Sequence, residues 1–277
     1  MKKSYLIADS GGTKTDWCFV DVLGNKNYFT TASYHPNLMS EEWIETNKSF
    51  WKKYSVIKDL EVHFYGSGCL KEPNRTKVKL VFQNWGFKDV QVESDILAAA
   101  RACFGNEDGW IGILGTGAVL SEIENHQIKN VYGGLGPLIG DEGSGFYFGK
   151  LLIDYYLKDK FSLETKREIE STLNTGGFKS LDSNAPSNKE FIASLSGIFS
   201  GSLNLEIQQL HRENISYFIE KFFPATLVNK TICFVGSYAH YNQIIIKELL
   251  LKRHLNLGVV ITKPIELLSE YSIKSTF

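Results

Sequence analysis

The stretch "ADSGGTKTDW", residues 8–17, decides the fold. An apolar run, "SYLIA", leads into it, and an alternating run, "DWCFVDV", leads out, with a glycine pair and Thr13-Lys14-Thr15 at the bend. Glycines beside a lysine and threonines suggest a phosphate cradle. The strand-to-helix phosphate loop, however, needs Gly, four residues, then Gly-Lys-Ser/Thr, and this spacing is not met. Apolar alternation on both sides reads instead as two strands joined by a glycine turn. A second turn, "LGNKN", and a third strand, "YFTTAS", complete a meander.

The same grammar returns about a hundred residues later. In "GWIGILGTGAVLSEIENHQIKNVYG", residues 109–133, an apolar strand enters the turn Gly115-Thr116-Gly117. A second strand, the turn "ENHQ" and "IKNVYG" follow. Glycine-turned meanders are common enough to recur by chance, but a Gly-Thr pair at both bends favours duplication. Two such units imply two lobes, each aiming a glycine hairpin into a cleft between them.

Around the meanders the pattern alternates strand and helix, which argues an α/β fold. "EEWIETNKSFWKKY" places Trp43, Phe50, Trp51 and Tyr54 at helical spacing on a core-facing helix. "LEVHFYGSG" reads as a strand, "NRTKVKLVFQNWG" as a helix closed by Gly86, and "DVQVES" as a strand feeding the helix "DILAAARACFG". Helices are expected near 144–158, 164–174, 187–197, 203–222 and 239–253. "TICFVGS" and "GVVIT" read as strands, residues 175–188 as the long loop, and a closing helix starts from Pro264. The domain boundary is expected at 106/107, with the terminal helix packing back on the first lobe.

Composition bounds the function. The 277 residues are 43% hydrophobic, and 30 basic against 31 acidic residues give a net charge of −1. No electrostatic footprint for nucleic acid follows, and no segment approaches the roughly 18 apolar residues of a membrane span. The apolar run at the N-terminus ends at Asp9, too short for a secretory signal. Cys18, Cys69, Cys103 and Cys233 form no CxxC pair, which favours buried free thiols and a reduced, cytoplasmic setting.

Five stretches can carry chemistry. Backbone N–H groups of Gly11, Gly12 and Thr13, and of Gly115, Thr116 and Gly117, can approach phosphate oxygens closely. Asp9 ends its strand beside the first bend, where a carboxylate next to phosphates makes sense as a Mg²⁺ ligand. A tight turn with a capping Asp is the plainer alternative, and the second bend weighs against it. In "VESDILAAARA", Ser94 suits a helix N-cap and Asp95 the first turn. Asp95 then either caps or accepts the proton of an attacking alcohol. "GGLGPLIGDEGSGFYFG", residues 133–149, holds too many glycines for a regular element and suits backbone wrapped round a small polar ligand. Its Asp141-Glu142 pair can accept hydrogen bonds from sugar hydroxyls. "FVGSYAH" suits a wall for a nucleoside, although any strand-to-helix junction looks similar, and His240 reads as structural.

Together these residues resemble the acetate-kinase/sugar-kinase/Hsp70/actin superfamily, and within it the N-acetylglucosamine kinase branch of the BadF/BadG/BcrA/BcrD ATPase group. "DSGGTKTD" and "GILGTGA" look like its two phosphate motifs, "ESDILAAARA" its connecting segment, "GGLGPLIGDEGSG" its most distinctive run and "FVGSYAH" its adenosine motif. The resemblance implies two ribonuclease H-like, actin-like ATPase lobes and an ATP- and Mg²⁺-dependent kinase acting on an amino sugar. N-acetylglucosamine at its 6-hydroxyl is the implied acceptor, with Asp95 as base and Asp9 on the metal. By position, Gly11, Gly12, Thr13, Lys14, Gly115, Thr116, Gly117, Gly236 and Ser237 would bind ATP. Asn37, Ser67, Gly134, Leu135, Gly136 and Asp141 would bind sugar. A homodimer is implied by the resemblance alone. An activator ATPase of the 2-hydroxyacyl-CoA dehydratase kind and a non-catalytic sugar or nucleotide sensor are the alternatives.

Overall fold

A computed structural model describes residues 3–136, 138–174, 178 and 189–274. The stretch 175–188, read above as the long loop, lies outside these apart from Phe178. The chain divides into two units, residues 1–107 with 263–277, and residues 108–262.

The first unit is built on a five-stranded sheet in the order β3-β2-β1-β4-β5. Strands β1 (Ser4–Ser10), β2 (Lys14–Val20) and β3 (Lys26–Ala32) form the antiparallel meander, while β4 (Leu60–Gly66) and β5 (Asp89–Ser94) run parallel to β1. Helices α1 (Glu41–Ser55), α2 (Glu72–Asn84) and α3 (Asp95–Phe104) connect them. The second unit repeats the plan. Its sheet runs β10-β9-β6-β7-β8, which is third-second-first-fourth-fifth read from the other edge. Here β6 (Gly109–Leu114), β7 (Ala118–Glu124) and β8 (Gln127–Gly133) are the meander, and β9 (Thr231–Val235) and β10 (Asn256–Ile261) the parallel pair. Helices α4 (Gly145–Leu157), α5 (Leu163–Thr172), α6 (Lys189–Ile198), α7 (Leu205–Phe222), α8 (Ser237–Tyr241) and α9 (Gln243–Leu251) belong to this unit. The last helix, α10 (Ile265–Lys274), packs on α3 and β1 of the first.

Strand β1 is central, and Leu6, Ile7 and Ala8 are fully buried, as a strand covered on both faces requires. Beside it, Trp17 of β2 anchors an aromatic core. Its ring centroid lies 4.5 Å from Trp51, 5.3 Å from Tyr34 and 6.2 Å from both Phe64 and Phe82.

Three expectations need correction. Phe50 is 39% exposed, whereas Trp51 and Tyr54 are buried. It sits at the margin of the helix face and packs edge-on against Trp51 at 4.9 Å. Cys103 and Cys233 are half-exposed rather than buried, although none of the four cysteines is in a disulfide. The helix expected over 239–253 is two helices that meet at Asn242. Asn242 leaves the helical conformation, with φ −106° and ψ 17°, and its side chain shares the Tyr238 carbonyl with its own N–H, at 2.9 and 3.3 Å.

Candidate active site

In the first unit, three neighbouring parallel strands end in register. Ser10 pairs with Gly66, and Gly66 pairs with Ser94. This row brings Asp9 and the first hairpin, the Ser67 turn and Asp95 to one edge of the sheet. The carboxyl ends of parallel strands are where open α/β sheets bind ligands.

The hairpin is braced from behind. Gly11 donates its N–H to the Lys14 carbonyl at 2.9 Å, and Ser33 Oγ donates to the Gly11 carbonyl at 2.7 Å. The Ser10 and Thr15 hydroxyls meet at 2.8 Å, and both accept from the Tyr34 N–H at 3.2 Å. Gly12, Thr13 and Lys14 remain exposed. A Cβ at Gly12 would meet nothing within 4 Å, and its φ is not positive. Neither packing nor backbone geometry within the chain demands a glycine there. Gly115, in the second hairpin, has the same two properties. The Lys14 ammonium rests on Asp16 Oδ2 at 2.8 Å.

The carboxylates differ in environment. Burial, then the charges of Asp95 and Asp16, push the Asp9 carboxyl up to about 7, against the opposing pull of Lys14. Burial would also raise Asp16, but hydrogen bonds from Lys14 and Thr30 hold it below its usual value. Burial raises Asp95 above the ordinary carboxylate range, although Ser94 Oγ and the Ile96 N–H each donate to its Oδ1 at 3.0 Å. The nearby Cys69 thiol is pushed up to about 12 by burial and by Asp95. Ser94 is the N-cap of α3, as its sequence context implies. Ser94→Ala is expected to cost about 1 kcal/mol of stability, read from the urea midpoint.

Asn37 is exposed in a short 3-10 turn, Pro36–Leu38, and its N–H donates to His35 Nδ1 at 3.2 Å. Ser67 donates its N–H to the Ser10 carbonyl at 2.8 Å. A Cβ on Gly68 would lie 2.6 Å from His35 Nε2, so the Asn37 and Ser67 turns adjoin.

In the second unit, the bend closes with the Gly115 N–H on the Gly117 carbonyl at 3.0 Å. The glycine run lies against it. Gly145 donates its N–H to the Gly115 carbonyl at 2.8 Å, and the buried Asp141 carboxylate faces Gly117 and accepts from the Ala118 N–H. Asp141 has φ +81°, a strained conformation for a residue other than glycine. Gly134 anchors to the Ala118 carbonyl at 2.9 Å, Gly140 to the Gly136 carbonyl at 2.9 Å, and Leu135 is 55% exposed. Glu142 pairs with Lys221 at 2.5 Å. Gly236 has φ +117°, and a Cβ there would sit 2.4 Å from the Leu114 carbonyl oxygen. This turn is thus pressed against the strand that carries the second hairpin. Ser237 beside it is exposed.

No family profile matches the sequence. The chain is 27% identical to an N-acetyl-D-glucosamine kinase of Dictyostelium discoideum, over 62% of its own length and 60% of that protein's, so it spans under two thirds of this relative. It is 26% identical to a Porphyromonas gingivalis protein, provisionally named an N-acetylglucosamine kinase, over 99% of this chain and 100% of that one, with a TM-score of 0.81. A ROK family glucokinase of Streptomyces griseus, in complex with glucose and AMPPNP, superposes over 98% of both chains with a TM-score of 0.53 at 17% identity.

The fold is that of the sugar kinases. The chain also carries functional candidates that its short motifs do not reveal. Asn214 and His211 lie on the buried face of α7 and reach the glycine run and Tyr238. Their signal in the sequence is a polar pair on the apolar stripe of residues 207–222. Asp16, paired with Lys14, was visible only as an alternating strand position.

Proposed function

We propose that the chain transfers the γ-phosphoryl group of ATP to an amino sugar, with N-acetylglucosamine and its 6-hydroxyl as acceptor. The observation that carries this reading is the pair of bends at Gly12 and Gly115. At each, a Cβ would meet nothing within 4 Å and φ is not positive, so the folded chain alone does not account for the glycine, whereas close approach of phosphate oxygens to the bend does. The likeness to N-acetylglucosamine kinases supports the choice of sugar.

In this reading Asp95 accepts the proton of the attacking hydroxyl. A new O–P bond forms at the γ-phosphorus, the bond to the β–γ bridging oxygen breaks, and ADP leaves. The α3 N-terminus orients Asp95, and its raised proton affinity suits a proton that moves late. Gly11, Gly12, Thr13, Lys14, Gly115, Thr116 and Gly117 hold phosphates, and Gly236 and Ser237 lie along the nucleoside. Asn37, Ser67, Gly134, Leu135, Gly136 and Asp141 hold the sugar.

Among the described residues, no group of three or more His, Cys, Asp or Glu side chains forms a metal cage. Mg²⁺ does not need one, because it is held by one or two carboxylates together with water and substrate phosphates. A buried carboxylate crowded by Asp95 and Asp16, with Lys14 only partly offsetting them, fits such a cation. Bound there, Mg²⁺ would neutralise charge on the phosphates.

The test is ADP release against a panel of amino sugars and hexoses with Mg²⁺. N-acetylglucosamine is expected to give the highest kcat/KM. ATP binding with no sugar-dependent ADP release would favour the sensor reading instead.

A further inference from the structure

Helix α7 buries a polar pair in an apolar stripe. Ile207, Leu210, Ile215 and Phe218 face the core, and on the same face His211 and Asn214 are 3% and 0% exposed. An amide that deep must be fully hydrogen-bonded to be tolerated. Asn214 meets that demand. Its Oδ1 accepts from the Gly143 N–H at 2.7 Å, and its Nδ2 donates to the Ser144 carbonyl and to the Tyr238 hydroxyl, both at 2.9 Å. The amide cannot be flipped, because flipping would set oxygen against the Ser144 oxygen and N–H against the Gly143 N–H.

The rest of the chain of bonds follows from that orientation. His211 Nε2 lies 3.4 Å from the Phe199 carbonyl, which only an N–H can satisfy, so Nδ1 is the acceptor. The Tyr238 hydroxyl therefore donates to Nδ1 at 3.0 Å and accepts from Asn214. Burial drives the His211 pKa down to about 4, which keeps this neutral tautomer in place at neutral pH. Phe148 stacks on the imidazole at 3.9 Å with the ring planes 4° apart. Tyr238 and His211 thus lock the rotamer of Asn214 from one side, leaving its other side aimed at the glycine run.

The run at that point has little freedom of its own. Gly143 has φ +87°, and a Cβ there would lie 2.5 Å from Phe218 of the same helix. Two residues upstream Asp141 is held in its strained backbone conformation, and two residues downstream Gly145 reaches the second hairpin. We infer that Asn214 is a positioning residue for the sugar site proposed above, clamping Gly143 and Ser144 so that Asp141 and the glycine backbone stay in a binding geometry. This inference rests on the kinase reading.

Asn214→Asp keeps an acceptor for the Gly143 N–H but removes both donors. Tyr238→Phe removes only the hydroxyl that locks the Asn214 rotamer. Asn214→Asp is expected to raise the KM for N-acetylglucosamine about tenfold or more, as loss of buried hydrogen bonds implies, with the KM for ATP within about twofold of wild type. Tyr238→Phe is expected to raise the same sugar KM by a smaller factor, and it decides alone if the first variant does not fold. A residue with only a structural role would shrink the active fraction, lowering kcat at unchanged sugar KM, and that result overturns the inference. If the wild-type chain shows no sugar-dependent ADP release, the kinase reading fails, and hydrogen exchange decides the clamp separately. The Gly143 amide should then exchange slowly in the wild type and much faster in Asn214→Leu. Equal rates in the two overturn it.

Discussion

Asparagine in place of Asp95 is expected to lower turnover about 10²–10⁴-fold, the range a positioned general base contributes, while sugar and ATP still bind. The substitution is close to isosteric. The carbonyl oxygen of the new side-chain amide can still accept from Ser94 Oγ and the Ile96 N–H, so the start of α3 keeps its cap. What disappears is the group able to take a proton at the row of strand ends shared by Asp9, Ser67 and Asp95. The check is steady-state ADP release, with sugar and nucleotide affinities measured separately by calorimetry. Lost turnover with retained affinities supports the assignment. Turnover near wild type would remove Asp95 as base, whatever the sugar.

Legibility in the sequence depended on the range of each interaction. The hairpins at Gly11-Gly12 and Gly115–Gly117 were legible because glycine turns and apolar alternation are local signals, set within about ten residues. Their recurrence made the sheet plan legible too, and both sheets have the same strand order. Ser94 as an N-cap was readable for the same reason. Long-range pairings were not. Nothing in "GDEGSG" says that Asp141 meets the Ala118 N–H while its neighbour Glu142 turns to Lys221. Asn214 lies 71 positions from Gly143 along the chain and looked like one polar residue in a helix. The break at Asn242 is not legible because it lies in the backbone dihedrals of one residue, while the buried positions Ala239, Asn242, Ile246 and Leu250 keep a helical spacing across it.

The Asp9 carboxyl sets up the other large effect, and its sign runs against the usual acid-denaturation trend. Its folded-state pKa of about 7 stands above the ordinary 3.8. Between those values the folded chain holds a proton that the unfolded chain has released, so stability falls as pH rises through that window. Above pH 7 the ionised, crowded carboxylate carries the full cost. A tenfold difference in proton affinity is worth about 1.4 kcal/mol, so the cost is about 2–4 kcal/mol once screening of a partly exposed group is allowed for. Asp9→Asn is therefore expected to raise the apo-protein's stability by that amount at about pH 8 and to change it little near pH 4. Mg²⁺ with ATP should stabilise the wild type at about pH 8 more than the variant, since the cation relieves the repulsion only where Asp9 is present. Activity should move the opposite way, with Asp9→Asn more stable and nearly inactive. Thermal unfolding at about pH 4, 6 and 8, with and without Mg²⁺ and ATP, reads all of these at once. Parallel stability profiles for the two proteins would show that Asp9 does not bear the repulsion, and equal stabilisation of both by Mg²⁺ and ATP that it does not bear the metal.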